Sequence, residues 1–332
     1  MRSSHRAVNR RDFLRTTTAA AALLPLGRVD GLDRLFAPPR SRVAVVRTSD
    51  RKAGVARAIA LYGPRGISGR RVVLKPNFNS ADEAPASTHV DTLAQIVVEM
   101  RERGARSITL GESSGPPRTQ GVLEQKGILD LASDLRFGVV DFETIADRDW
   151  VPFARPGSHW PDGFSLPRLV VDSEYTVSTC CLKTHAYGGV FTMSLKLAVG
   201  LTPKPIRRTM HRSPDMRRMI AELNAGYATQ LVVLDGVSAF TDGGPSHGTL
   251  KQGDVVVVGS DRVAVDAVGL AVLKELGSND AIMGRRIWAQ EQIASAVALG
   301  LGAAGPDGIE LVTGDAESAG YAEKLRAILR EG

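Results

Sequence analysis

The sequence predicts an α/β protein with a largely parallel or mixed open sheet, helices on both faces, and loop insertions. Three observations carry that expectation. From Arg42 onward, short apolar β-branched runs alternate with helical patterns, as in βαβ units. Glycine or proline closes most runs, consistent with 34 glycines and 17 prolines in a chain of 332 residues. No fixed-period repeat interrupts the alternation.

The elements follow in order. RVAVVRT (42–48) reads as a strand and KAGVARAIALYG (52–63) as a helix ended by glycine. RVVLKPNFN (71–79) is a strand entering a Pro-Asn turn. DTLAQIVVEMRERG (91–104) is an amphipathic helix with Asp91 in the capping position and Gly104 past its end. SITLGESSG (107–115) is a strand ending in a Gly-rich loop. FGVVDFE, RLVVDSEYTVSTCCLK, QLVVLDGVSAF and DVVVVGSD supply further strands, while 262–277 and 286–300 supply helices. Residues 152–167, with Pro, Gly and Trp, form one loop insertion. The basic, Pro-interrupted stretch 205–220 forms another, an excursion from the sheet.

The composition is that of a globular protein with ample core: 43% hydrophobic, 23% charged. A formal net charge of +6 raises the possibility of nucleic-acid binding, but its distribution argues against it. Residues 1–40 hold eight arginines and three aspartates, leaving 34 basic against 33 acidic residues in the body. A near-neutral body has no footprint for a phosphate backbone.

Residues 1–40 read as a leader and linker, and 41–332 as a single α/β domain. Asn9-Arg10-Arg11-Asp12-Phe13-Leu14-Arg15, followed by the apolar segment Thr16–Gly27, has the order of a twin-arginine export signal. The apolar segment is too short to span a membrane as a helix. The expectation is export in the folded state by the twin-arginine machinery to a periplasmic or other extracytoplasmic location. Membrane contact is expected only through the leader, if it stays uncleaved. The two cysteines, Cys180 and Cys181, are adjacent, so they cannot staple distant segments or supply four thiolates to an iron–sulfur cluster.

Ligands of open α/β sheets bind beyond the carboxyl ends of the strands. Five polar clusters are expected there: Lys75-Pro76-Asn77, Glu112-Ser113-Ser114-Gly115, Lys183-Thr184-His185, Asp235-Gly236 and Ser260-Asp261. Together they suggest a composite site. Lys196 lies in the apolar stretch TMSLKLAVGL and requires a partner, with Glu112, Asp235 or a bound anion as the choices.

Lys75-Pro76-Asn77, Gly111-Glu112-Ser113, Leu182-Lys183-Thr184-His185, Ser194-Leu195-Lys196 with Gly200, Asp235-Gly236, Gly244-Pro245 with Gly248, and Asp261–Asp266 occur in one order. This set resembles the bacterial and archaeal domain-of-unknown-function 362 family over about residues 42–275. The resemblance implies no settled chemistry. Many relatives carry a four-cysteine ferredoxin-like module, which the two cysteines here cannot supply, so no electron-transfer role follows. Leu197 stands where the family pattern has asparagine.

Lys183 and His185, two apart on a strand, share a face and suit carboxylate or phosphate binding, or acid–base work on a carbon acid. The alternative is a lysine paired with Asp235 or Asp261 and a histidine satisfying loop carbonyls. Gly188 and Gly189 permit close backbone approach. His211 sits among arginines that either cover an anionic substrate or form a solvated flank. The catalytic candidates are His185, Glu112 and Lys183. The ligand-binding candidates are Lys75, Asn77, Ser194, Lys196, His211, Asp235 and Asp261.

The expected partner is a small anionic molecule. Two rivals stand beside that reading: a non-catalytic envelope protein that captures a ligand or helps redox or cofactor-containing partners, and a metal-dependent protein using His89, His185 and an acid. Histidine spacing gives no metal motif. A Walker loop is absent from the sequence.

Overall fold

The β-branched runs become strands in chain order: β1 (Ser41–Arg47), β2 (Arg71–Lys75), β3 (Ser107–Glu112), β4 (Gly138–Asp141), β5 (Trp150–Phe153), β6 (Phe164–Pro167), β7 (Tyr175–His185), β8 (Val190–Thr192), β9 (Leu231–Gly243), β10 (Gly248–Gln252), β11 (Val255–Gly259) and β12 (Ile309–Val312). The structure is a computed structural model that describes residues 40–332. The export signal read between Asn9 and Gly27 lies outside the described residues.

Ten strands form one mixed sheet in the order β12-β1-β11-β9-β7-β2-β3-β4, with β8 folded back on β7 and β10 on β9. The segment β4-β3-β2-β7-β9 is parallel throughout. β11 runs antiparallel to both β9 and β1, while β12 is parallel to β1. Alternate residues of each strand enter opposite cores, as the two-residue period of a strand requires. Val43 and Val45 pack in the layer that holds the helices Arg262–Leu276 and Ala316–Glu331. Ala44 and Val46 pack in the layer of the helices Arg51–Tyr62 and Val90–Glu102. The expected α/β architecture, helices on both faces, is present.

The topology fixes where a ligand site belongs. The chain lays β2, β3 and β4 outward in one direction, then returns to place β7 and β9 on the other side of β2. The order reverses between β2 and β7, and a crevice opens at the carboxyl ends of strands at such a switch point. Lys75 ends β2 and His185 ends β7, so both flank it.

Several local expectations are corrected. The run RLVV is a helical turn, Arg168–Val171, rather than the start of β7; Pro167 caps it and the chain re-extends at Tyr175. Helix Val90–Glu102 is capped by His89, whose ring accepts the Asp91 N–H, not by Asp91 itself. Residues 286–300 split into a 3₁₀ turn and the helix Glu291–Ala298. The insertion at 152–167 contributes to an antiparallel pair, β5 with β6. The basic excursion folds into two helices, Lys204–Arg212 and Met216–Leu223.

Candidate functional site

Beyond β2 and β3 the first feature is a buried ion pair. Lys75 Nζ donates to Glu112 Oε1 at 2.5 Å and to the Pro76 carbonyl. Glu112 also accepts the backbone N–H of Phe78 at 2.9 Å and of Ser113 at 2.8 Å. The carboxylate therefore holds three donors and fixes the two strand-end loops together. Burial pulls the Lys75 ammonium below its usual range, against the opposing pull of Glu112. Gly200 backs onto the pair: a Cβ there would lie 3.0 Å from Lys75 Nζ.

β7 supplies the second wall. Lys183, 0% exposed, donates to Asn77 Oδ1 (3.1 Å), the Ala86 carbonyl (2.5 Å) and the Pro245 carbonyl (3.1 Å). Three neutral oxygens tie the loops after β2 and β9 to the end of β7. Burial lowers the Lys183 ammonium to about 8. The aspartates considered as its partners, Asp235 and Asp261, do not bond it.

His185 lines the same crevice. Its Nδ1 accepts the Gly189 N–H at 3.3 Å, which leaves the ring proton on Nε2. His211, on helix Lys204–Arg212, has Nδ1 2.7 Å from the Arg207 carbonyl, so its proton sits on Nδ1 and Nε2 keeps a lone pair. The two rings lie 6.2 Å apart at 30°. Burial first, then Lys196, pushes the His185 imidazole down to about 2; the same two causes lower His211. Both rings are neutral near pH 7, in opposite tautomers.

Lys196 is the group without a counter-charge. It lies on the short helix Ser194–Leu197, which Asp266 anchors by accepting Ser194 N–H (2.8 Å), Leu195 N–H (3.0 Å) and the Ser194 hydroxyl. Asn224 secures the Leu195 carbonyl from the other side. Burial pushes the Asp266 carboxyl up to about 7 against those hydrogen bonds. Lys196 itself is 8% exposed and faces the crevice. Among the described residues its ammonium has neither a carboxylate within 4.0 Å nor a hydrogen-bond acceptor. Burial, then the positive charges of Lys183 and Arg207, lowers it to about 7. Of the partners expected for Lys196, Glu112 belongs to Lys75 and Asp235 belongs to Arg51, which leaves the anion.

Arg207 completes the cationic wall. Its guanidinium donates to the Ser113 and Ser114 carbonyls, the Ser113 hydroxyl and the Thr202 carbonyl. All are neutral oxygens, and burial lowers it to about 10. The cleft has a volume of about 1030 Å³, the size of a small-molecule site. Six Lys and Arg side chains line it, against one carboxylate, Glu112, which is already neutralised by Lys75. Phe78, Leu197 and Val199 give it an apolar side.

The cleft thus joins Lys75, Asn77, Glu112, Lys183, His185, Lys196 and His211. Ser194 does not line it; its hydroxyl is bound to Asp266 beneath the helix that carries Lys196. Asp235 also lies elsewhere, because β9 bulges after it and continues to Gly243 instead of ending. Its carboxylate accepts Arg51 Nε (2.9 Å) and the Thr92 hydroxyl (2.7 Å), joining two helices on one face. Asp261 is at the opposite ends of the strands, because β11 runs antiparallel and its carboxyl end points away from the cleft. There it caps helix Arg262–Leu276 and accepts Ser41 Oγ and Ala303 N–H.

Arg207 and Arg208 carry more of the site than the sequence suggested. The signal was the basic stretch itself, whose other arginines serve elsewhere: Arg217 and Arg218 pair with Glu291. Among the described residues no three His, Cys, Asp or Glu side chains form a metal-ligating group, and His89 is occupied as a helix cap.

Against known proteins, the profile described as "Domain of unknown function (DUF362)" matches residues 72–271. Among curated proteins, the thylakoid-associated protein sll1697 of Synechocystis sp. (strain ATCC 27184 / PCC 6803 / Kazusa) is 26% identical over 252 residues, covering 70% of this chain and 74% of that protein. Among solved structures, the lactate racemase apoprotein of Thermoanaerobacterium thermosaccharolyticum aligns with a TM-score of 0.43 and 12% identity, covering 86% of each chain.

Proposed function

We propose that this chain, which belongs to the domain-of-unknown-function family DUF362, binds a small anionic molecule in the cleft at the β2/β7 switch point. The observation that carries the reading is Lys196: a cation 8% exposed, facing a cleft, with no counter-charge among the described residues. Leaving such a charge uncompensated costs several kcal/mol, on the order expected for buried ions, and a carboxylate or phosphate would remove that cost. Lys183 and Arg207 add positive potential beside it. His185 Nε2–H and the His211 Nε2 lone pair supply a hydrogen-bond donor and a proton acceptor on the same wall, the pair a proton transfer needs. Glu112, fixed by three donors, acts here as scaffold.

A panel of small anions tests the reading by thermal shift on the purified chain. Sulfate, phosphate, oxalate and malonate are to be compared at millimolar concentration. At least one is expected to raise the melting temperature saturably, by the mass-action term for a ligand that binds the native state alone. No saturable shift with any of them counts against the anion site.

We further propose that the chain is exported by the twin-arginine route and works outside the cytoplasm. The order of Arg10-Arg11, Phe13-Leu14 and the apolar run Thr16–Gly27 supports this, and the cyanobacterial relative is named as thylakoid-associated. Among the described residues no helix is long and apolar enough to cross a membrane. Replacing Arg10 and Arg11 together by lysine is expected to leave the protein in the cytoplasmic fraction; undiminished export of that variant would rule out the twin-arginine route.

A further inference from the structure

We propose that Lys196 is a nucleophilic amine that condenses with the carbonyl carbon of a small oxo-acid held in the cleft, forming an imine. The proposal rests on the reading of the cleft as an anion site and names the class of anion.

Geometry carries it. An amine that serves only to neutralise an anion gains from acceptors around it, as Lys183 has. Lys196 has none among the described residues, yet the helix that carries it is held from both sides, by Asp266 on the Ser194 and Leu195 N–H groups and by Asn224 on the Leu195 carbonyl. Its stem and the His185 ring both lie close to Gly189, which leaves room for them. A Cβ on Gly189 would lie 2.8 Å from Lys196 Cε and 2.9 Å from His185 Nδ1. The amine, a hydrogen-bond donor and a proton acceptor therefore share one wall. Burial, with the cationic neighbours Lys183 and Arg207, keeps part of the amine unprotonated near neutrality, the usual way a lysine is activated.

The step balances without oxidant or reductant. The Lys196 lone pair forms the N–C bond while the carbonyl π pair moves to oxygen, against His185 Nε2–H. The two protons on nitrogen pass in turn through His211 Nε2 to that oxygen. The C–O bond breaks, water leaves and the C=N bond remains. The positive potential of Lys183 and Arg207, whose own N–H groups are bound to protein oxygens, favours the substrate's carboxylate in the cleft.

The test uses glyoxylate and sodium cyanoborohydride on the full chain at pH 7, followed by peptide mass spectrometry. Carboxymethylation is expected at Lys196 at about tenfold or more the extent at the exposed Lys52, since a lower pKa raises the free-amine fraction tenfold per unit. Sulfate should suppress the label. Lys196→Arg should lose it while retaining stabilisation by sulfate, which separates chemistry from folding. Equal labelling of Lys196 and Lys52, with sulfate still stabilising the protein, overturns the imine and leaves the anion site standing. Preferential labelling of Lys196 by neutral propionaldehyde, with no sulfate effect, keeps the nucleophile and overturns the anion site.

Discussion

Glu112→Ala is expected to destabilise the protein by about 3–5 kcal/mol, the usual result of removing one member of a buried ion pair. Lys75 would remain buried with only the Pro76 carbonyl, and the N–H groups of Phe78 and Ser113 would lose their acceptor. Urea denaturation reads the change. The double variant Lys75→Met/Glu112→Gln removes both charges and keeps an acceptor for the backbone, so it should cost less than Glu112→Ala alone. A Glu112→Ala variant within about 1 kcal/mol of the parent would mean that the pair does not hold the strand ends together.

Lys196→Met is expected to have the opposite sign on stability and the largest effect on binding. Removing an uncompensated buried cation should stabilise the unliganded protein by about 1 kcal/mol or more. The pH dependence has a definite direction. The folded-state pKa of Lys196, about 7, lies below that of an unfolded lysine, so the unfolded state binds more protons across that interval. Below about pH 7 the ammonium is charged in both states and its burial penalty is fully present. As pH rises toward the unfolded value the folded state sheds the proton and the penalty fades. The gain from Lys196→Met is therefore largest in acid and small in alkali. Anion affinity should fall by about a hundredfold, the scale of losing one member of a desolvated charge pair. A variant that is less stable than the parent at pH 6 would indicate that Lys196 has a partner inside the fold.

Local pattern revealed most of the architecture, because alternation and glycine punctuation are local signals. It did not reveal strand direction. Nothing near Asp261 tells that β11 runs antiparallel, and that one reversal moves the residue to the opposite ends of the strands. The bulge that carries β9 past Asp235 is similarly a product of pairing with β7. Ser194 has an equally non-local explanation: its hydroxyl answers Asp266, seventy-two positions away. Lys183 and Lys196 stood out for a reason that is local, a cation in an apolar run. Their fates diverge because loop carbonyls reach one and not the other. The pairing of His185 with His211 required the basic stretch to fold as a helix over the crevice, which Pro205 in a run of arginines concealed.

The central claim is that the cleft holds an anion on Lys196. Its most direct test is sulfate stabilisation of the parent and Lys196→Met as a function of pH, since sulfate keeps a fixed charge near neutrality. Millimolar sulfate should raise the melting temperature of the parent at pH 6, and the shift should decline through pH 7 to 8 as Lys196 and Lys183 lose their protons. Lys196→Met, which also corrects for general salt effects, should show little shift at any pH. A sulfate shift of equal size in both proteins, or one that does not change with pH, would contradict the account.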